Sequence, residues 1–137
     1  MSDGITILFV DDDARQYEFC VGQLQGSSSN YHIVFAATGR AGLDICARQP
    51  IDCVVLEIDL PDVSGFAVLS TLVPRASHPE IAVIVLTRLP NPFLLELAIK
   101  SGAQAAFHKT TVSGDQLEKS ILKAISTVRK RLNGNFS

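Results

Sequence analysis

The chain predicts an α/β fold in which five strands alternate with five helices, forming a parallel sheet covered by helices on both faces. Three observations carry this. Short, β-branched, almost wholly apolar runs such as Ile5–Val10, Val54–Leu56 and Ile81–Leu86 lack the polar alternation of a half-exposed strand, so both of their faces should be covered. The segments between them repeat apolar residues at helical spacing. The two patterns alternate along the chain, as crossover units in a parallel sheet require.

Taken in order, strand one is Ile5–Val10, and Asp11, Asp12 and Asp13 follow it directly. Asp13 with Gln16 has the spacing of a capping box. Tyr17, Cys20, Val21 and Leu24 then mark a helix from Ala14 to Gln25 that stops at Gly26-Ser27-Ser28. Strand two is Tyr31–Ala36. Thr38-Gly39 opens a helix through Leu43, Ile45 and Cys46, which Pro50 ends. Strand three runs from Asp52 to Glu57. The Pro61- and Gly65-marked turn after it leads to a helix from Ser64 to Val73, and residues 74–79 form a loop. Strand four is Ile81–Leu86, ending at Thr87-Arg88. Asn91-Pro92 is a helix start, an N-cap followed by proline in the first turn. Leu94, Leu95, Ala98 and Ile99 line that helix, and Gly102 stands where a terminating glycine belongs. Ala105–His108 is a weaker fifth strand, followed by Lys109. Ser113 with Gln116 makes a second capping box. The last helix carries the stripe Leu117, Ile121, Ala124, Ile125, Val128 and Leu132, and stops near Gly134.

At 137 residues, 47% hydrophobic and 19% charged, the chain is expected to be a single domain, 1–137, with a core over about 5–131 and a tail at 132–137. A formal charge of -2 gives no general attraction to nucleic acid or to an anionic membrane. The Arg129-Lys130-Arg131 cluster suits the end of a helix, where cations meet the helix dipole. Cys20, Cys46 and Cys53 are an odd number without CxxC spacing, each in an apolar segment, so reduced buried thiols are expected. Met1-Ser2-Asp3-Gly4 is no signal peptide, and no apolar run is long enough to span a bilayer. A cytoplasmic protein is the expectation. His32, His78 and His108 show neither metal-ligand spacing nor a nucleophile partner.

In parallel sheets of this kind the site lies beyond the carboxyl ends of the strands. Polar groups stand at those ends: Asp11 and Asp12 after strand one, Glu57 after strand three, Thr87 after strand four, Lys109 after strand five. The acids would crowd charge that a hard divalent cation relieves. Lys109 could pair with Glu57 or hold an anion near it, and Thr87 could bond one oxygen of that anion. Phosphoryl transfer draws on such parts.

With these residues the chain resembles the response-regulator receiver domains of two-component signalling, from about Ile5 to Arg131. The marks are Val10-Asp11-Asp12, Leu60-Pro61 with Ser64-Gly65, Leu86-Thr87, Gly102-Ala103 and Lys109. The resemblance implies a doubly wound, flavodoxin-like sheet in order 2-1-3-4-5. It also implies an aspartate that accepts a phosphoryl group from a histidine kinase with the help of magnesium. Carried over by position, the metal ligands would be Asp11, Asp12, Glu57 and the backbone carbonyl of Asp59, with Thr87 and Lys109 as the anion and switch residues. Magnesium is thus a candidate cofactor.

Three positions depart from the pattern. Glu57 stands at the acceptor aspartate; its extra methylene should push the oxygens toward Lys109 and spoil in-line geometry. Whether it imitates a phosphorylated state or is a vestigial acid paired with Lys109 stays open. Ala106 replaces the usual switch aromatic, and Phe107, one residue on, should point to the other sheet face. Thr110 stands where the family has proline after a cis bond, so a trans Lys109–Thr110 bond is expected.

The leading expectation is a non-enzymatic receiver-like module, with no residue assigned a catalytic role, acting through protein contacts and with impaired or absent aspartyl phosphorylation. Its partners would be a histidine kinase, a phosphotransfer protein or an output domain, since no output domain follows Ser137 unless the chain is cut from a longer one. A homodimer through the 92–131 face, and no direct nucleic acid or membrane contact, belong to the same reading. An orthodox receiver phosphorylated on Glu57 or Asp59 is the alternative. A remote one is a magnesium-dependent phosphohydrolase of the haloacid-dehalogenase type, built on the D-x-D of Asp11 and Asp13.

Overall fold

In the computed structural model, which describes residues 4–26 and 30–134, strands and helices alternate as the sequence predicts. The elements are β1 (Ile5–Val10), α1 (Ala14–Gln25), β2 (Tyr31–Ala36), α2 (Gly39–Arg48) and β3 (Cys53–Leu56). After these come α3 (Gly65–Leu72), β4 (Ala82–Thr87), α4 (Pro92–Lys100), β5 (Ala105–His108) and α5 (Gly114–Leu132). The strands form one parallel sheet in the order β2-β1-β3-β4-β5. The sheet is the doubly wound, flavodoxin-like arrangement. Among the described residues no helix is long and apolar enough to cross a membrane.

Alternation along the central strands divides the core in two. Ile7, Phe9, Cys53, Val55, Ile84 and Leu86 face Cys20 and Leu24 of α1 and Leu117, Ile121, Ile125 and Val128 of α5. Leu8, Val10, Val54, Leu56, Val83 and Val85 face the other way, onto Val68 and Leu69 of α3 and Ala98 of α4. With both faces covered, β3 and β4 are buried at every position, which is why their sequences show no polar alternation.

Several boundaries differ from the sequence reading for identifiable reasons. The amides of Asp52 and Glu57 bond to Thr6 and Val10 of β1 at 2.9 Å each. The paired run on both sides is only Cys53–Leu56, because β4 begins opposite Cys53. Ser64 and Val73 are the caps of α3 rather than its first and last residues. β4 starts one residue later than expected and includes Thr87, which pairs with His108.

The capping box foreseen at Asp13 does not form. Asp13 caps α1 through the Arg15 N–H at 3.0 Å, while the Gln16 side-chain amide donates to Cys20 Sγ at 3.5 Å and so does not reach back to the cap. The box at Ser113 and Gln116 does form. The periodicity of α5 places Leu132 on its buried stripe, but it is 57% exposed. A 19-residue helix is about 28 Å long, more than the adjacent strands can cover, so its last turn overhangs the sheet. Arg129 in that turn pairs with Asp52 at 2.8 Å. Ser27 and Ser28, in the expected stop of α1, lie outside the described residues, as do residues 135–137 of the expected tail.

Cys20 and Cys53 are buried and Cys46 half-buried, and none is in a disulfide. Burial pushes all three thiols up from their ordinary range. Gly102 has φ 112°, the left-handed region that favours glycine, and it turns the chain from α4 toward β5. Asp62, in the loop after β3, accepts from the N–H groups of Gly39 and Arg40 at 2.8 and 3.0 Å. Its carboxylate therefore satisfies the open N-terminus of α2 from a different part of the chain.

Candidate functional site

At the carboxyl edge of the sheet, Asp11, Glu57, Thr87 and Lys109 are brought together. Three of them follow a strand end with a backbone anchor, Asp11 N–H to the Ala36 carbonyl at 3.0 Å, Glu57 N–H to Val10 at 2.9 Å and Lys109 N–H to Thr87 at 2.9 Å, while Thr87 is the last residue of β4, paired with His108. The parallel ladder thus fixes the roots of the four side chains before the side chains themselves interact.

Those side chains form a closed network. Lys109 Nζ lies 2.6 Å from Asp11 Oδ2 and 3.0 Å from Glu57 Oε1. The Thr87 hydroxyl donates to Glu57 Oε2 at 2.5 Å, and the Asp59 N–H donates to the same oxygen at 3.0 Å. The Arg88 N–H reaches Glu57 Oε1 at 3.2 Å, and the Asp13 N–H reaches Asp11 Oδ1 at 2.9 Å. Every oxygen of the two buried carboxylates has a donor. Glu57 is 1% exposed and Thr87 0%, so this is an interior polar cluster in which each missing partner would be costly.

The charges follow from this placement. Burial pushes the Glu57 carboxyl up, but the Thr87 hydroxyl, the Asp59 N–H and Lys109 together hold it below the usual carboxylate range. For Asp11 burial prevails over Lys109 and the Asp13 N–H, so its carboxyl stands above that range. Burial alone would pull Lys109 down. Asp11 and Glu57 outweigh it and hold the ammonium above its ordinary value.

The side chains of the other expected site residues, and the Asp59 carbonyl, turn away from this cluster. Asp12 is exposed, and its Oδ1 is 3.4 Å from Arg88 Nη1. The Asp59 side chain pairs with Arg88 at 3.2 Å, and the Asp59 carbonyl accepts from Arg88 Nη2 at 3.2 Å. Asp13 is occupied as the cap of α1. Ala106 packs in the α3–α4 half of the core and Phe107 in the α1–α5 half, on opposite sheet faces as a one-residue offset requires. The Lys109–Thr110 bond is trans, and Thr110 Oγ1 lies 3.2 Å from His108 Nδ1.

By sequence alone Arg88 is only the end of a strand. Its position is nonetheless informative: a cation directly after the strand-end Thr87, on an edge bearing Asp11, Asp12 and Glu57. It engages Asp12 and both the side chain and the carbonyl of Asp59.

The oxygens expected to hold magnesium do not fit that ion in this arrangement. Asp11 and Glu57 turn toward Lys109, whereas Asp12 and the Asp59 carbonyl turn toward Arg88. Among the described residues no group of three or more His, Cys, Asp or Glu side chains is disposed to hold a metal.

Comparison with known proteins agrees with this fold. The response regulator receiver domain family matches residues 7–122. A probable cyclic di-GMP phosphodiesterase of Vibrio cholerae serotype O1 is 37% identical over 98 residues, covering 72% of this chain and 22% of that protein. Response regulator MprA of Mycolicibacterium vanbaalenii is 30% identical over 125 residues, covering 78% of this chain and 52% of that one. The chain therefore spans between about a fifth and a half of the length of these curated relatives. The crystal structure of a response regulator receiver domain protein from Clostridium thermocellum superposes with a TM-score of 0.78 at 28% identity, covering 93% of this chain and 98% of that one. With its 2-1-3-4-5 sheet and acids, threonine and lysine at consecutive strand ends, the chain belongs to the response regulator receiver domain family of two-component signalling.

Proposed function

We propose that this receiver signals through protein contacts from a state held by Glu57 itself, rather than through an aspartyl phosphate. The observation that carries this reading is the double engagement of the Glu57 carboxylate: Oε2 accepts from Thr87 at 2.5 Å and Oε1 lies 3.0 Å from Lys109. In the family pattern the hydroxyl and the ammonium are the groups that meet an incoming phosphoryl oxygen. Here the longer side chain delivers its own oxygens to them. This favours imitation of the anion over a vestigial acid paired with Lys109 alone, because Thr87 and Lys109 are engaged together.

The same contacts oppose nucleophilic attack. Both oxygens are hydrogen-bonded, and attack would require breaking the contact to Thr87 or Lys109. Asp59 is a poor substitute acceptor because its side chain is paired with Arg88 on the exposed rim. A phosphohydrolase built on Asp11 and Asp13 is opposed by the capping role of Asp13. The module is accordingly read as a non-enzymatic partner of a kinase, phosphotransfer protein or output domain, with the surface of α4, β5 and α5 as its contact or dimer face.

Incubation with acetyl phosphate and magnesium, followed by intact-mass measurement, tests the reading. The expected result is no adduct. A stoichiometric, base-labile gain of about 80 Da would overturn it in favour of an orthodox phospho-accepting receiver.

A further inference from the structure

We infer that the Arg88 guanidinium is a built-in cation that takes the place of a divalent metal at this sheet edge, making the site metal-independent. The oxygens around it are the ones a hard cation would be expected to seek. Nη1 faces Asp12 Oδ1 at 3.4 Å, Nη2 faces Asp59 Oδ2 and the Asp59 carbonyl at 3.2 Å each, and Nε faces Asp59 Oδ2 at 3.3 Å. One planar side chain thereby joins three loops: the one after β1 through Asp12, the one after β3 through Asp59, and its own after β4.

Its root is held as firmly as its head. Thr87, immediately before it, is buried and paired with β5, and the Arg88 N–H is bonded to Glu57. The guanidinium is therefore presented to the acids by the ladder rather than by a free surface side chain. It remains 42% exposed, so the inference concerns which cation holds these oxygens and not a large contribution to stability.

Two features work against a metal in this arrangement. Magnesium requires near-octahedral oxygens at about 2.0–2.1 Å, and an ion that close to Asp12 and the Asp59 carbonyl would meet the guanidinium they already face. The buried carboxylates already face Lys109, Thr87 and backbone donors, so a metal would compete with those contacts for their oxygens. Arginine suits the role because it stays charged and its planar fork contacts two groups at once.

Manganese, as a paramagnetic stand-in for magnesium, tests this on the whole chain by selective broadening of backbone amide signals. In the wild-type protein the amides around Asp12 and Asp59 should stay sharp at millimolar manganese. In Arg88→Ala they should broaden, with affinity raised by roughly tenfold or more, equivalent to about 1.4 kcal/mol. Arg88→Gln, which keeps hydrogen-bonding capacity but not charge, should behave like Arg88→Ala and serves if that variant folds poorly. Equal broadening in the wild type, or none in either variant, would overturn the inference. Because the readout is metal binding, it stands or falls separately from the phosphorylation test of Glu57.

Discussion

The Thr87 hydroxyl and Glu57 Oε2 are 2.5 Å apart, and both side chains are closed off from solvent. In this receiver the strand-end hydroxyl has an acceptor within the chain, supplied by the one residue that departs from the expected acceptor aspartate. The site carries its own anion beside Lys109 and its own cation in Arg88.

Shortening Glu57 should release this arrangement only when Arg88 is also removed. With acetyl phosphate and magnesium, Glu57→Asp/Arg88→Ala is expected to gain about 80 Da, and Glu57→Asp alone much less. Intact mass at matched times measures both. Equal labelling of the two variants would mean that Arg88 does not limit the chemistry.

Lys109→Met should be severely destabilising, because it leaves Asp11 and Glu57 buried and facing each other without their cation. Breaking a buried pair in this way costs about 3–5 kcal/mol, measurable as a lower urea midpoint. The pH dependence has a definite sign. Without Lys109, burial and mutual repulsion should raise both folded-state carboxyl pKa values above their unfolded values. Stability of the variant would then fall as pH rises through that window, so its deficit relative to wild type should be smaller near about pH 4 than near pH 7.

Asp62 tests the cap it provides to α2. Its folded-state pKa is depressed, first by the Arg40 N–H and also by the Gly39 N–H. The stabilisation is therefore present above the unfolded pKa and lost as pH falls through the folded one. Asp62→Ala should lower the thermal midpoint at neutral pH, and the difference should disappear in acid. A difference that persists at low pH would point to packing rather than charge.

Gly65→Ala should disturb the site from behind. A Cβ there would collide with the Glu57 carbonyl and lie 2.6 Å from Ile58 Cα, both backbone atoms that cannot rotate away. Overpacking typically costs about 1–3 kcal/mol, and this position should reach the upper part of that range. Urea denaturation gives the cost. Shifts in the Glu57 and Thr87 amide signals would show the strain reaching the network.

Much of this molecule is legible in its sequence. Buried-strand runs, Asn91-Pro92, Ser113 with Gln116 and Gly102 are local signals, and they read correctly because the backbone rules behind them act over a few residues. Asp13 with Gln16 failed because the Gln16 amide is engaged by Cys20, one turn along the same helix. Leu132 failed because periodicity says which face of a helix is apolar but not how far the sheet beneath it extends.

The site divides in the same way. By itself the sequence determined which polar residues end β1, β3, β4 and β5, and hence that two acids, a glutamate, a threonine and a lysine meet at one edge. Strand ends in a parallel sheet converge whatever the side chains do. Only the tertiary structure decided the pairing: Asp11 and Glu57 to Lys109, Asp12 and Asp59 to Arg88. Sequence order cannot supply that choice, because it depends on side-chain reach and on which oxygens are buried. The Glu57 side chain reaches Thr87, and the residue after Thr87 brings a cation to the acids left over.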